Sequence, residues 1–235
     1  GEGNQLENII STTWYWILLI PAIGGLIVGP LIYFLAPEAK GHGVPEVMQA
    51  ILLRGGTIRP RVALVKALAS AITIGTGGSV GREGPIIQIG SSLGSTVGQF
   101  FKVPTSRLKT LVGCGAAAGI AAAFNAPIAG ALFAVEIILM DFAVAQFSPI
   151  VISSVMATVV SHSFEGKFAA FQVTAYEYVS PYEIGFYFVL GAVSGIVSYL
   201  FVKVLYYSEE FFDEKFKFPE YLKPVIGGLL IGLIA

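Results

Sequence analysis

The stretch GTGGSVGREGP, Gly75 to Pro85, lies between two apolar runs and sets Arg82 beside Glu83 in a chain that is only 12% charged. Its glycines free the backbone to expose N–H groups. Pro85 stands where the first turn of a helix begins. A proline is tolerated there because its missing N–H is one of the donors a helix start leaves unpaired anyway. The stretch therefore reads as the glycine-rich entry to a helix. Such an entry carries about half a positive charge and unspent donors, so it attracts anions.

The rest of the chain explains why a charged tip is notable. Of its 235 residues 55% are hydrophobic, and the mean hydropathy is +0.78. A soluble domain carries about 25% charged residues, so this composition argues for lipid as solvent. The charges are also clustered. None falls between Glu7 and Glu38, and about 20 apolar residues suffice to span a bilayer. Lys109 to Glu136, Asp141 to Glu165 and Glu183 to Lys203 enclose three more neutral runs. A net charge of -1 gives no basic footprint for nucleic acid. The single cysteine, Cys114, lies in LVGCGAAAG, has no intrachain partner and reads as a small packing residue. Residues Gly1 to Thr13 carry acids but no base and no cleavage pattern, so no leader is expected there. The chain closes inside the apolar run GGLLIGLIA and reads as a fragment of something longer.

The first span is expected over Thr13 to Ala36, with Trp14, Tyr15 and Trp16 at its headgroup end. Lys40, Arg54, Arg59 and Arg61 follow in the exit segment, which places that end in the cytoplasm. Helices are expected over Val62–Thr76 and Ile86–Phe101. A small-residue helix then breaks at Asn125-Ala126-Pro127 and restarts, and further helices cover Phe147–His162, Ser180–Tyr207 and the residues from Val225. Gly and Ala at the density of the small-residue helix let backbones approach closely. Several segments are too short to span. Interrupted helices in lipid need protein or a polar cavity around the break, and they point to a transport site near the midplane.

Two breaks share one design. GHGVPEV is Gly41 to Val47, and GREGPII is Gly81 to Ile87. Aimed at one buried point, two such helix starts would hold a small anion weakly enough to release it, since each contact is worth about 0.3 to 2 kcal/mol. Glu83 then has two readings. It is a tethered plug, displaced by an anion or neutralised by a proton, or it is half of an Arg–Glu pair that only caps the helix. An ionised acid at membrane depth costs about 2.5 to 3.5 kcal/mol on insertion scales, which favours its protonated form; Arg82 would offset part of that cost. A phosphate-binding loop is a poor fit, because no Gly-Lys-Ser/Thr follows and no strand pattern surrounds the glycines.

GHGVPEV, GREGP and FNAPIAGALFAVE, in that order and spacing, resemble the CLC chloride channels and chloride/proton antiporters. The resemblance covers almost the whole chain. It implies an all-α integral membrane protein with tilted, discontinuous helices, assembled as a homodimer in lipid, with one pore per subunit and two inverted halves per pore. Residues 1–179 then resemble the first half without its opening helix, and 180–235 the start of the second; no CBS domain is expected in 1–235. The resemblance also implies a plasma-membrane location and chloride or a similar small anion as the transported ligand, with no cofactor. By position Glu83 matches the gating glutamate. Arg82, Gly84 and the backbone of Pro85, Ile86 and Ile87 match the helix start that meets the anion. Gly41, His42, Gly43 and Val44 match the inner anion loop.

Two departures from the family pattern matter. Many relatives carry Ser where this chain has His42, which either donates to the ion through a ring nitrogen or turns to water while backbone amides bind. Family antiporters usually carry a proton-relay glutamate just after the acid of AVE, where this chain has Ile137. An isoleucine carries no proton, so passive, channel-like conduction is the first expectation and proton-coupled antiport the second. A scaffold subunit or a membrane enzyme is the rival from another class. The only histidines, His42 and His162, have no ligand spacing that would support an enzyme.

Overall fold

The computed structural model describes residues 13–166 and 180–234. The leader reading of residues 1–12 and the expected close of the first half at residue 179 lie outside them. Two compact units emerge, one drawn from Gly1–Phe171 with Glu220–Ala235 and the other from Gln172–Pro219.

All regular elements among the described residues are helical. In the first unit α1 is Trp14–Leu35, followed by a 3-10 turn at Pro37–Ala39; α2 is Val44–Arg54, α3 Arg61–Gly75, α4 Glu83–Phe100 and α5 Thr105–Phe124. Next come α6, Pro127–Phe133, which continues as a π turn over Ala134–Leu139, and α7, Val144–Glu165. The second unit holds α8, Glu183–Glu210, which runs into a π turn at Phe211–Lys215. The chain then re-enters the first unit with a 3-10 turn at Glu220–Leu222 and α9, Lys223–Ile234. Helices over Trp14–Leu35, Thr105–Phe124, Val144–Phe164 and Glu183–Lys215 are long and apolar enough to cross a membrane. Each overlaps one of the four uncharged runs of the sequence.

The exit segment after α1 contains the helix whose start GHGVPEV marks. Residues 44–54 form α2, which buries Val47, Ala50 and Ile51 and ends at left-handed Gly55. The irregular connection from α2 to α3 is held by a polar stripe on α4. Ser95 Oγ donates to the Gly56 carbonyl at 2.7 Å and accepts from the Ile58 N–H at 2.9 Å. Gln99 Nε2 donates to the Ile58 carbonyl at 2.8 Å, and Ser92 Oγ to the Arg59 carbonyl at 3.3 Å. Buried non-helical backbone needs such partners, because an unpaired N–H or carbonyl away from water is costly.

The core runs from α2 through α7, with Val47, Val62, Ile87, Val112, Ala131 and Ile150 among its buried residues. At the α4–α5 crossing a Cβ on Gly90 would run into the Gly115 carbonyl, and one on Gly115 into the Gly90 carbonyl, so only glycine permits that approach. The expected break after α5 is present. Asn125 is left-handed, with φ 54°, and the chain resumes helix at Pro127. The carbonyls freed at the end of α5 are met from other helices: Ser161 Oγ of α7 donates to Ala122 O and Arg82 Nη2 to Ala123 O, each at 3.2 Å. Asn125 itself meets His162 Nε2 through its side-chain oxygen.

Candidate functional site: two abutting helix starts

The two glycine breaks, 40 residues apart in sequence, meet in space. Gly41 and Gly43 take φ of +98° and +101°, a region that side chains rarely enter. This bends the loop so that its backbone packs on the first turn of α4. A Cβ on Gly43 would collide with the Gly84 carbonyl, and a Cβ on Gly84 with the His42 carbonyl. The prolines sit as expected, Pro45 and Pro85 both in first helical turns.

At the α4 start no side chain caps the helix. Its first internal bond runs from the Ile86 N–H to the Arg82 carbonyl at 3.1 Å. The Glu83 side chain is turned back on its own entry, so that a Cβ on Gly81 would strike its carboxylate. The residue remains exposed. The Arg82–Glu83 pair of the alternative, helix-capping reading is not formed: among the described residues no ion pair joins them, and the guanidinium reaches the Ala123 carbonyl instead. The physical reason is the α5 break, which leaves a carbonyl without a helical partner within reach of Arg82. Ile87 is buried, whereas Gly84, Pro85 and Ile86 are half-buried.

At the α2 start Gly43 is buried, Val44 half-buried, and Gly41 and His42 exposed. The Gly43 N–H donates to Glu46 Oε2 at 2.6 Å. Each break thus has an acid of its own helix lying over its glycines, Glu46 at the first and Glu83 at the second. Ile137 lies in the π turn after α6, which packs beside α2. It is 38% exposed, and its neighbour Ile138 is fully buried.

Two side chains around the first break, Lys66 and Gln88, carried no part in the sequence reading, and a third, Arg59, entered it only as a charge that sets topology. Lys66 of α3 is 6% exposed. Its Nζ donates to the carbonyls of Ala39 at 2.9 Å and Gly41 at 2.8 Å. Gln88 of α4 donates from Nε2 to the Glu38 carbonyl at 2.8 Å, and Arg59 pairs with Glu38 at 3.2 Å. The signal for Lys66 was in the sequence: it is the one charge inside Val62–Thr76, and a charge within an apolar segment needs a partner. Gln88 opens a polar stripe of Gln88, Ser91, Ser92, Ser95 and Gln99 at helical spacing.

Discontinuous helices whose starts abut within an apolar helical bundle define an all-α integral membrane protein. The chain belongs to the CLC family: the family model described as voltage gated chloride channel matches residues 24–235. It is 32% identical over 237 residues to a putative ClcB-like chloride channel protein of Ralstonia nicotianae, covering 97% of this chain and 55% of that protein. It is 34% identical over 206 residues to the H(+)/Cl(-) exchange transporter ClcA of Vibrio parahaemolyticus, covering 85% and 43% respectively. The crystal structure of a slow cyanobacterial Cl⁻/H⁺ antiporter superposes with a TM-score of 0.83 at 27% identity, over 98% of this chain and 56% of that one. The chain spans about half the length of these proteins.

Proposed function

We propose that the full protein moves chloride or a similar small anion across a membrane past the abutting starts of α2 and α4, with Glu83 as the gate. The observation that carries this reading is the backbone contact of Gly43 with Gly84. It brings two helix N-termini, each positive by about half a charge, to one place. An anion held by amide dipoles is bound well enough to shed water and weakly enough to leave. Gly41, His42, Gly43 and Val44 form the inner side of this site. Arg82, Gly84, Pro85, Ile86 and Ile87 form the α4 side, where Arg82 acts by bracing the α5 end rather than by touching the carboxylate. Glu83, folded over Gly81, competes with the anion for the same donors.

Passive conduction is the mechanism we favour, because Ile137 offers no proton acceptor at the position next to Glu136. Proton-coupled exchange is the second reading, supported by the likeness to a Cl⁻/H⁺ antiporter and to an exchange transporter. We place the protein in the plasma membrane as a homodimer with one passage per subunit. Residues 1–179 belong to the first of two inverted halves and 180–235 open the second.

Flux from proteoliposomes holding the full-length protein tests the mechanism. A chloride gradient should move chloride without driving protons uphill. Proton pumping by that gradient would replace the channel reading with exchange, and absence of any anion flux would remove transport altogether.

A further inference from the structure

Building on that transport reading, we propose that Gln88 is a positioning residue that sets the anion preference of the passage by fixing the inner loop against the start of α4. Gln88 lies one helical turn beyond Gly84. It is 2% exposed, and its Nε2 holds the Glu38 carbonyl, three residues before Gly41. Helix α4 therefore grips the inner segment at two points, by van der Waals contact at Gly84 and by a hydrogen bond at Gln88. One point would act as a hinge; two points fix both spacing and angle.

Lys66 completes the clamp from α3. By taking the Gly41 carbonyl it sets the orientation of that peptide plane. In a trans peptide the N–H of the next residue points the opposite way, so the His42 N–H is turned away from Lys66. Donor direction at the loop is thus decided by side chains that are not themselves at the loop. Arg59, held to Glu38, anchors the same turn from the α2–α3 connection. The Gln88 amide cannot be reversed without setting its oxygen against the Glu38 carbonyl, so its orientation is fixed. Its Oε1 is buried with no partner. A buried acceptor left unpaired is costly, which makes Gln88 a poor choice for stability alone. Selection among dehydrated anions depends on how many dipoles reach the ion and at what spacing, and this clamp controls both.

The test is the nitrate-to-chloride flux ratio of the full-length protein in proteoliposomes, for Gln88→Met, Gln88→Asn, Lys66→Met and the control Gln99→Met. Gln99 makes the same kind of bond from the same helix, to the Ile58 carbonyl, but away from the loop. We expect Gln88→Met and Lys66→Met to shift the ratio by about threefold or more, and Gln88→Asn to fall between them and wild type. Gln99→Met should lower the melting temperature and keep the wild-type ratio. Should Gln88→Met fail to fold, Gln88→Asn decides. An unshifted ratio in a folded Gln88 variant overturns the inference, as does an equal shift in Gln99→Met. A wild-type protein with no anion flux has a different signature and overturns the transport reading beneath it.

Discussion

Gly43 and Gly84 touch backbone to backbone, with no room for a Cβ on either. They belong to different helices, and each is followed within two residues by a first-turn proline. This contact makes the two helix starts a single structural feature.

Gly43→Ala should therefore damage both stability and flux. A side chain at φ +101° costs about 1 to 3 kcal/mol in backbone strain, and the added methyl also meets the Gly84 carbonyl. Thermal unfolding in detergent should show the loss, and anion flux should fall with it. Wild-type flux in this variant would mean that the two starts need not meet.

Glu83→Gln tests the gate. In the proposed gate the charged carboxylate is the plug, and a glutamine of the same size carries no charge. Anion flux of the variant under a fixed chloride gradient should therefore exceed that of the wild type. Unaltered flux would reduce Glu83 to a helix cap.

His42→Ser addresses the inner loop. His42 is exposed and its carbonyl, rather than its ring, packs on Gly84. The substitution should shift anion preference with little change in folding. Identical selectivity would mean that the ring faces away from the ion, with the backbone doing the binding.

Ser95→Ala separates architecture from conduction. It removes one donor to Gly56 O and one acceptor for Ile58 N–H, both buried. Leaving such groups unpaired costs about 1 to 3 kcal/mol. The melting temperature should drop while the nitrate-to-chloride ratio stays at its wild-type value.

Helix existence was legible wherever charge and proline marked it. The uncharged runs locate α1, α5, α7 and α8, and Asn125-Ala126-Pro127 marks the break before α6. Both glycine motifs were legible as helix starts, because glycine freedom and first-turn proline are local properties. Less legible was α2, since its three buried residues are set in a segment rich in charge and glycine.

Partnership was not legible. Adjacency in sequence suggested that Arg82 serves Glu83, but the guanidinium goes to Ala123, 41 residues away, because a broken helix there leaves a carbonyl to satisfy. The hold of Lys66 on Ala39 and Gly41, and of Gln88 on Glu38, likewise depends on where three helices come to rest. Composition, spacing and turn chemistry act over a few residues, and they determined a lipid-embedded chain with two anion-attracting helix starts. Which orphan donor meets which orphan acceptor is decided only on packing, when lipid withholds every alternative partner and the neighbouring helix must supply it.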